Sequence, residues 1–141
     1  MGWFVRFFQK RGFRSMRVLI AEDDRALGSL LARTFKDEGH TVAWAQDGEA
    51  ALTTWRQAQH GLLVLDLNLP LLDGTEVLRA VRAESDAVVL VLTARNTREE
   101  RLRCLELGAD DFWAKPAELR ELEMRCRGLI RRFRAGNGNV L

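Results

Sequence analysis

Short apolar runs and longer segments of helical periodicity alternate five times along the chain. An apolar run of about four to eight residues is typical of a buried strand, whereas apolar positions at i, i+3, i+4 and i+7 are typical of an amphipathic helix. Regular alternation of the two predicts a parallel sheet with helices on both faces. The predicted strands are 17–21, 41–45, 62–66, 87–92 and 110–114. The predicted helices are 25–38, 47–59, 74–84, 96–107 and 117–134.

Polar residues and glycines at the helix ends agree with this division. Asp24 stands where it can cap the first helix, and Gly39 follows the last turn of that helix. Asp47 and Gly48 open the second helix. Right-handed crossovers and the strand order 2-1-3-4-5 place the carboxyl ends of the first and third strands side by side. The sequence therefore predicts an α/β fold with a flavodoxin-like, doubly wound (βα)5 parallel sheet.

Acidic residues end two of the predicted strands. Asp66 follows the apolar run 62–65, and Glu22 and Asp23 follow the run 18–21. The predicted topology brings Asp23 and Asp66 together, and open α/β sheets place their reactive groups at this edge. Two like charges about 4 Å apart repel by roughly 4 kcal/mol at an effective dielectric of 20. The cluster therefore indicates a bound divalent cation, a lysine, or both.

Further residues at strand ends complete a known pattern. Over about residues 16–134 the chain resembles the receiver domains of bacterial two-component response regulators. Within that family, the segment 108–112 before Lys115, with Glu118 and Leu119 after it, is most similar to receivers of winged-helix DNA-binding regulators of the OmpR/PhoB type. The residues that carry the resemblance are Glu22, Asp23, Asp66, Asn68, Pro70, Asp73, Gly74, Thr93, Ala94, Lys115 and Pro116.

The resemblance implies a role for each of these side chains. Asp66 would be the phosphoacceptor, and Lys115, Thr93 and Ala94 would surround the phosphoryl group. Mg²⁺ prefers hard oxygen ligands and retains several waters. The implied ligands are Asp23 and Asp66 directly, the carbonyl of Asn68, and Glu22 mainly through water.

Alternatives or departures from the family pattern concern Phe112, Thr93, the bond before Pro116, and Ala117. Phe112 stands where the family carries its aromatic switch residue, commonly tyrosine, but an ordinary buried strand phenylalanine remains an alternative. The alternative for Thr93 is a strand residue with its methyl group in the core. The family implies a cis bond between Lys115 and Pro116. Ala117 departs from the usual phenylalanine, which affects packing rather than chemistry.

The resemblance also implies partners. A sensor histidine kinase would donate the phosphoryl group, and activation would produce a homodimer through the fourth helix, fifth strand and fifth helix. The alternative is that the charged residues of this face are simply solvated, because single surface ion pairs contribute only about 0–1 kcal/mol. The residues expected on the dimer face are Arg101, Asp110, Asp111, Glu121, Arg125 and Arg132.

Composition limits the remaining possibilities. The formal net charge is +2, but four basic residues and no acidic ones lie in residues 1–15. The rest of the chain carries 18 basic and 20 acidic residues, so it is not a nucleic-acid binder on charge grounds. No run of 18 apolar residues exists, so no membrane span is expected. Cys104 and Cys126 are expected to be small buried side chains in a reducing cytoplasm.

Three segments follow from this reading: a flexible N-terminal extension over residues 1–15, a receiver domain over 16–134, and a linker-like tail over 135–141. A DNA-binding effector domain would be absent, so DNA would be reached only through that missing domain. The expected role is phosphorylation-dependent signalling that controls transcription, rather than enzymatic turnover beyond the domain's own phosphorylation and dephosphorylation.

Three other functions are compatible with parts of this pattern. An unphosphorylated docking module usually lacks the aspartate, threonine or lysine, and all three are present here. An aspartyl-phosphate phosphatase of the haloacid dehalogenase type would carry a second aspartate two residues after the nucleophile, where Asn68 stands. A flavin-binding flavodoxin would have a phosphate-binding loop rich in glycine, serine and threonine after the first strand, where Glu22 and Asp23 stand instead.

Overall fold

A computed structural model describes residues 15–116 and 118–135, with side chains described as far as residue 128. Five parallel strands form one sheet in the order β2-β1-β3-β4-β5. The strands are β1 (Arg17–Ala21), β2 (Thr41–Ala45), β3 (Leu62–Leu65), β4 (Val88–Thr93) and β5 (Asp111–Ala114). The helices are α1 (Arg25–Asp37), α2 (Gly48–Gln57), α3 (Gly74–Glu84), α4 (Arg98–Glu106) and α5 (Leu119–Ala135). The predicted fold class and strand order are confirmed.

The central strands are buried on both faces, as expected for a parallel sheet covered by helices. Every residue of β3 and β4 is buried, and β1 exposes only Arg17. Successive side chains point to opposite faces, so Val18 and Ile20 join one core cluster while Leu19 and Ala21 join the other. The sheet that carries the carboxyl edge is therefore packed on both faces by a hydrophobic core cluster.

Polar side chains cap α1 and α2 where these helices begin, at the carboxyl edge of the sheet. The Asp24 side chain accepts a hydrogen bond of 3.0 Å from Leu27 N, so its predicted capping role is confirmed. Asp47 caps α2 through Ala50 N at 2.7 Å. Gly39 follows α1 with φ of +93°, a left-handed conformation that glycine adopts without strain. These contacts satisfy backbone groups that would otherwise be left unpaired at the helix ends.

Two predicted helix starts shift by two residues in the second half of the chain. Helix α4 begins at Arg98 rather than residue 96, because Thr97 caps it by accepting a hydrogen bond from Glu100 N at 3.1 Å. Helix α5 begins at Leu119 rather than residue 117. Residues 1–14 and 136–141, on which the predicted extension and most of the predicted tail fall, lie outside the described residues.

The peptide bond between Lys115 and Pro116 does not have the expected geometry. No cis bond occurs in the described part of the chain, so this bond is trans and the prediction of a cis bond is wrong. A trans bond is favoured by about 0.5–1 kcal/mol before proline unless surrounding contacts demand otherwise. Here the backbone N–H of Lys115 already donates to Thr93 O at 2.9 Å, which continues the β4–β5 pairing and directs the lysine without a cis bond.

Candidate functional site

Three carboxylates meet where β1 and β3 end. Glu22, Asp23 and Asp66 each place a carboxylate oxygen within 4.8 Å of the others. Asp66 N donates to Ala21 O at 3.0 Å, so the pairing of β1 with β3 continues to the first residue of the site. Glu22 and Asp66 are 2% and 3% exposed, whereas Asp23 is exposed. The predicted acidic cluster is therefore present, with Asp23 on its solvent side.

Lys115 supplies the positive charge that this cluster requires. Its Nζ lies 2.9 Å from Asp66 Oδ2 and 2.9 Å from Glu22 Oε1. Burial raises the pKa of Glu22 to about 7; the hydrogen bonds from Lys115 and from Asp24 N oppose that shift, while the charge of Asp66 adds to it. Burial alone would lower the pKa of Lys115, but its hydrogen bonds to the two carboxylates raise it. The lysine is thus held in its charged form between two buried acids.

The other oxygens of the two buried acids accept backbone hydrogen bonds. Asp66 Oδ1 accepts from Asn68 N at 3.1 Å, and Glu22 Oε2 accepts from Asp24 N at 3.0 Å. The backbone of Glu22 is itself held by β2, because its N–H donates to Ala45 O at 3.0 Å. Both carboxylates are therefore oriented by the main chain as well as by the lysine.

Thr93 is the last residue of β4, Ala94 follows it, and Phe112 lies on β5. Thr93 is fully buried, and its Oγ1 accepts a hydrogen bond from Arg95 N at 3.1 Å. Ala94 is exposed. Phe112 is half-buried against the core, and the Arg101 guanidinium carbon lies 5.6 Å from its ring centre. The aromatic ring is therefore covered by a cation rather than enclosed completely in the core.

Arg95 is a site residue that the sequence analysis missed. Its guanidinium donates to the Asn68 side-chain oxygen at 2.7 and 2.9 Å, and to Leu67 O at 3.2 Å. It also lies 2.6 Å from Asp73 Oδ1, and this hydrogen bond is the main reason that the pKa of Asp73 falls to about 2. The signal available in the sequence was an arginine two residues after Thr93, at the same strand end. Arg95 links the loops that follow β3 and β4.

The residues expected on a dimer face lie on or beside α4, β5 and α5, and several make contacts within the chain. Asp110 Oδ2 accepts from Arg82 Nη2 at 3.0 Å and from Val89 N at 2.8 Å. Asp111 accepts from Phe112 N and from the indole of Trp113. The Arg125 guanidinium carbon lies 4.7 Å from the Trp113 ring centre. Glu121 is exposed, and the side chain of Arg132 lies outside the described residues.

Among the described residues, no helix has the length and apolar character of a membrane span. The two cysteines, Cys104 and Cys126, are free and buried as expected. Burial raises the pKa of the Cys126 thiol to about 12, so it stays protonated. Neither cysteine contributes to the acidic site.

Curated proteins are similar to this chain in sequence over most of its length. Response regulator MprA of Mycobacterium ulcerans is 44% identical over 119 residues, which are 84% of this chain and 51% of that protein. Transcriptional regulatory protein QseB of Haemophilus influenzae is 43% identical over 118 residues, which are 83% of this chain and 53% of that protein. The chain thus spans about half the length of the curated relatives it matches.

Solved structures agree with the fold. The non-phosphorylated HemR receiver domain of Leptospira biflexa is 37% identical with a TM-score of 0.72, over 82% of this chain and 94% of that one. The Mn²⁺-bound form of response regulator Rcp1 is 26% identical with a TM-score of 0.78, over 86% and 96% of the two chains. The profile of the response regulator receiver domain matches residues 18–127. The chain therefore belongs to the receiver domains of two-component response regulators.

Proposed function

We propose that this chain is a phosphorylation-activated receiver domain that takes a phosphoryl group from a histidine kinase onto Asp66. The observation that carries the proposal is the Asp66 carboxylate, 3% exposed at a strand end and 2.9 Å from Lys115 Nζ. A carboxylate oxygen of Asp66 would form a bond to phosphorus as the phosphorus–nitrogen bond to the kinase histidine breaks. The electron pair of the broken bond returns to the imidazole, and an acyl phosphate remains on Asp66.

The acidic cluster fits a divalent cation in its donor set. Three carboxylates within 4.8 Å offer the hard oxygens that Mg²⁺ prefers. Asp23 and Asp66 would ligate directly with the Asn68 carbonyl, and Glu22 would act mainly through water. When bound, Mg²⁺ supplies positive charge for the phosphoryl oxygens. The Mn²⁺-bound form of Rcp1 supports a divalent cation in a receiver of this fold.

Lys115 and Thr93 would contact the oxygens of the new phosphoryl group. Lys115 pairs with a phosphoryl oxygen as it now pairs with Asp66, and Thr93 turns its hydroxyl toward another oxygen. Thr93 Oγ1 then leaves Arg95 N, and space opens for Phe112 to turn inward and leave Arg101. A phosphoryl group can shift the population between two such arrangements only by its differential affinity for them.

Phosphodonor labelling tests the phosphoacceptor. Intact mass after incubation with acetyl phosphate and Mg²⁺ is expected to rise by one phosphoryl group for the parent and not for Asp66→Asn. Asp24→Asn is the matched control, because Asp24 caps α1 and is not assigned to the phosphoryl site. Labelling of Asp66→Asn to the parent level would refute the assignment.

We further propose that activation pairs two copies through the α4–β5–α5 face, as a route to control of transcription by an attached DNA-binding domain. The role in transcription is supported by the similarity of this chain to QseB, a transcriptional regulatory protein. Asp111→Arg is expected to keep the phosphorylated protein monomeric in sedimentation, and adding Arg132→Asp should restore pairing. Thr93→Ala or Lys115→Ala should still label but no longer dimerise. A dimeric Asp111→Arg variant would count against this face.

A further inference from the structure

The indole of Trp44 contacts the turn that carries the acidic residues of the site. Trp44 lies near the carboxyl end of β2, and its Nε1 donates a hydrogen bond of 2.8 Å to the backbone carbonyl of Glu22. The N–H of Glu22 donates to Ala45 O at 3.0 Å. The peptide groups on both sides of Glu22 are therefore tied to β2, one by the backbone and one by the Trp44 side chain.

A gap in α1 accommodates the indole. A Cβ atom on Gly28 would lie 2.2 Å from Cε2, 2.3 Å from Cζ2 and 2.4 Å from Nε1 of Trp44. These separations are far below van der Waals contact, so any side chain at position 28 would displace the ring. Gly28 N donates to Asp24 O at 2.8 Å in the first turn of α1. The indole of Trp44 thus extends from β2 to contact both the turn that follows β1 and the first turn of α1.

Asp23 depends on this turn for its position. Its side chain is exposed, while Glu22 before it is buried and Asp24 after it caps α1. The position of the Asp23 carboxylate relative to Asp66 is therefore set largely by the backbone between Glu22 and Asp24. A ligand held in place before the cation arrives loses less freedom on binding, so a contact that fixes this turn would raise affinity for the cation.

We propose that Trp44 is a positioning residue for the divalent cation, acting through the Glu22 carbonyl and the space left by Gly28. This rests on the proposed function, because it assumes that the acidic cluster binds Mg²⁺. A merely structural Trp44 would affect the stability of the fold and leave the affinity for Mg²⁺ unchanged. The two roles are therefore separated by measuring both quantities on the same variants.

Trp44→Phe removes the indole N–H and keeps an aromatic ring. Trp113→Phe is the matched control, because its indole also donates a hydrogen bond, to Asp111 Oδ2 at 3.2 Å, but on β5. Calorimetric titration with MgCl₂ is expected to show about tenfold weaker binding for Trp44→Phe, in the range found when outer contacts of metal ligands are removed. Trp113→Phe should match the parent. Equal affinities for the two variants would overturn the proposal.

Gly28 provides a second, independent perturbation. Gly28→Ala should displace the indole and weaken Mg²⁺ binding to a similar extent, whereas Gly128→Ala, with open space around its Cβ, should not. In a Trp44→Val background, where no indole is present, Gly28→Ala should have no further effect on affinity. Full additivity of the two changes would overturn the proposal.

Hydrogen exchange on the metal-free protein adds a measurement that does not depend on bound Mg²⁺. The amides of Asp23 and Asp24 should exchange faster in Trp44→Phe than in Trp113→Phe, because the turn is held less firmly. Identical exchange in the two variants would refute a positioning role. Absence of Mg²⁺ binding by the parent would refute the proposed function instead, so the two failures are distinguishable.

Discussion

Replacing Lys115 by methionine should lower the stability of the metal-free domain and enlarge the stabilisation that Mg²⁺ provides. The substitution keeps an unbranched apolar side chain of similar length and removes the charge. Without metal, Glu22 and Asp66 lose the cation that lies 2.9 Å from each. With Mg²⁺ present, a divalent cation can replace that charge. The metal-free variant should therefore be less stable than the parent, and Mg²⁺ should stabilise it more than it stabilises the parent.

The size of the effect follows from burial. Removing one partner of a fully buried ion pair costs about 3–5 kcal/mol, because the other charge is left uncompensated. The carboxylates are 2% and 3% exposed, but the lysine side chain is 19% exposed, so solvent screens part of the interaction. We therefore expect a loss of about 2–3 kcal/mol. In a domain of this size that corresponds to a fall in Tm of roughly 6–10 °C.

Calorimetric unfolding in EDTA and in MgCl₂ measures both parts. The Tm of Lys115→Met should lie below that of the parent in EDTA, and the rise on adding MgCl₂ should be larger for the variant. Lys36→Met is the matched control, because Lys36 is an exposed lysine in the last turn of α1. A Lys115→Met variant with the parent's Tm in EDTA and the parent's response to Mg²⁺ would refute the reasoning.

Three further predictions concern other residues. Asp23→Asn should remove most of the rise in Tm that millimolar Mg²⁺ gives the parent, and an unchanged rise would show that Asp23 is not a ligand. Arg95→Ala should return the pKa of Asp73 from about 2 toward its ordinary value in an NMR titration, whereas Arg98→Ala should not. A lowered carboxyl pKa stabilises the fold above about pH 4. The parent should therefore lose this contribution to stability as pH falls toward 2, and Arg95→Ala should lack it. Burial lowers the pKa of His60, so the unfolded chain binds a proton more readily and stability should fall below about pH 6.5; His60→Gln should reduce that loss in urea titrations at several pH values.

Much of the fold was predictable from local patterns. The apolar runs of β1 and β2 predicted both strands with their observed bounds, because burial of a strand leaves a direct mark on its sequence. The carboxylate cluster followed from topology, since parallel strands end at one edge of the sheet. Asp66 and Lys115 could be placed together because each directly follows a strand.

The remaining features depend on contacts between residues distant in sequence. Arg95 lies 22 residues from Asp73, and no periodicity indicates that their side chains meet. The space that Gly28 leaves for Trp44 likewise requires knowing how α1 crosses β2. Asp110 accepts hydrogen bonds from Arg82 and Val89, which only the folded chain brings near, and its place on a dimer face stays a prediction. The trans bond before Pro116 was misjudged because the family pattern was applied without the contacts around this lysine.

The position of β5 in the chain has a consequence for how the domain folds. Lys115 follows the last strand, which pairs only with β4 at one edge of the sheet. A partly folded species with β1 and β3 paired but β5 unattached would hold Glu22 and Asp66 together without their cation. At pH values above the raised pKa of Glu22, such an intermediate is penalised by charge repulsion that disappears when β5 docks; at lower pH, Glu22 takes up a proton instead. The acidic site therefore opposes the accumulation of a four-stranded intermediate and makes folding of the domain more nearly all-or-none.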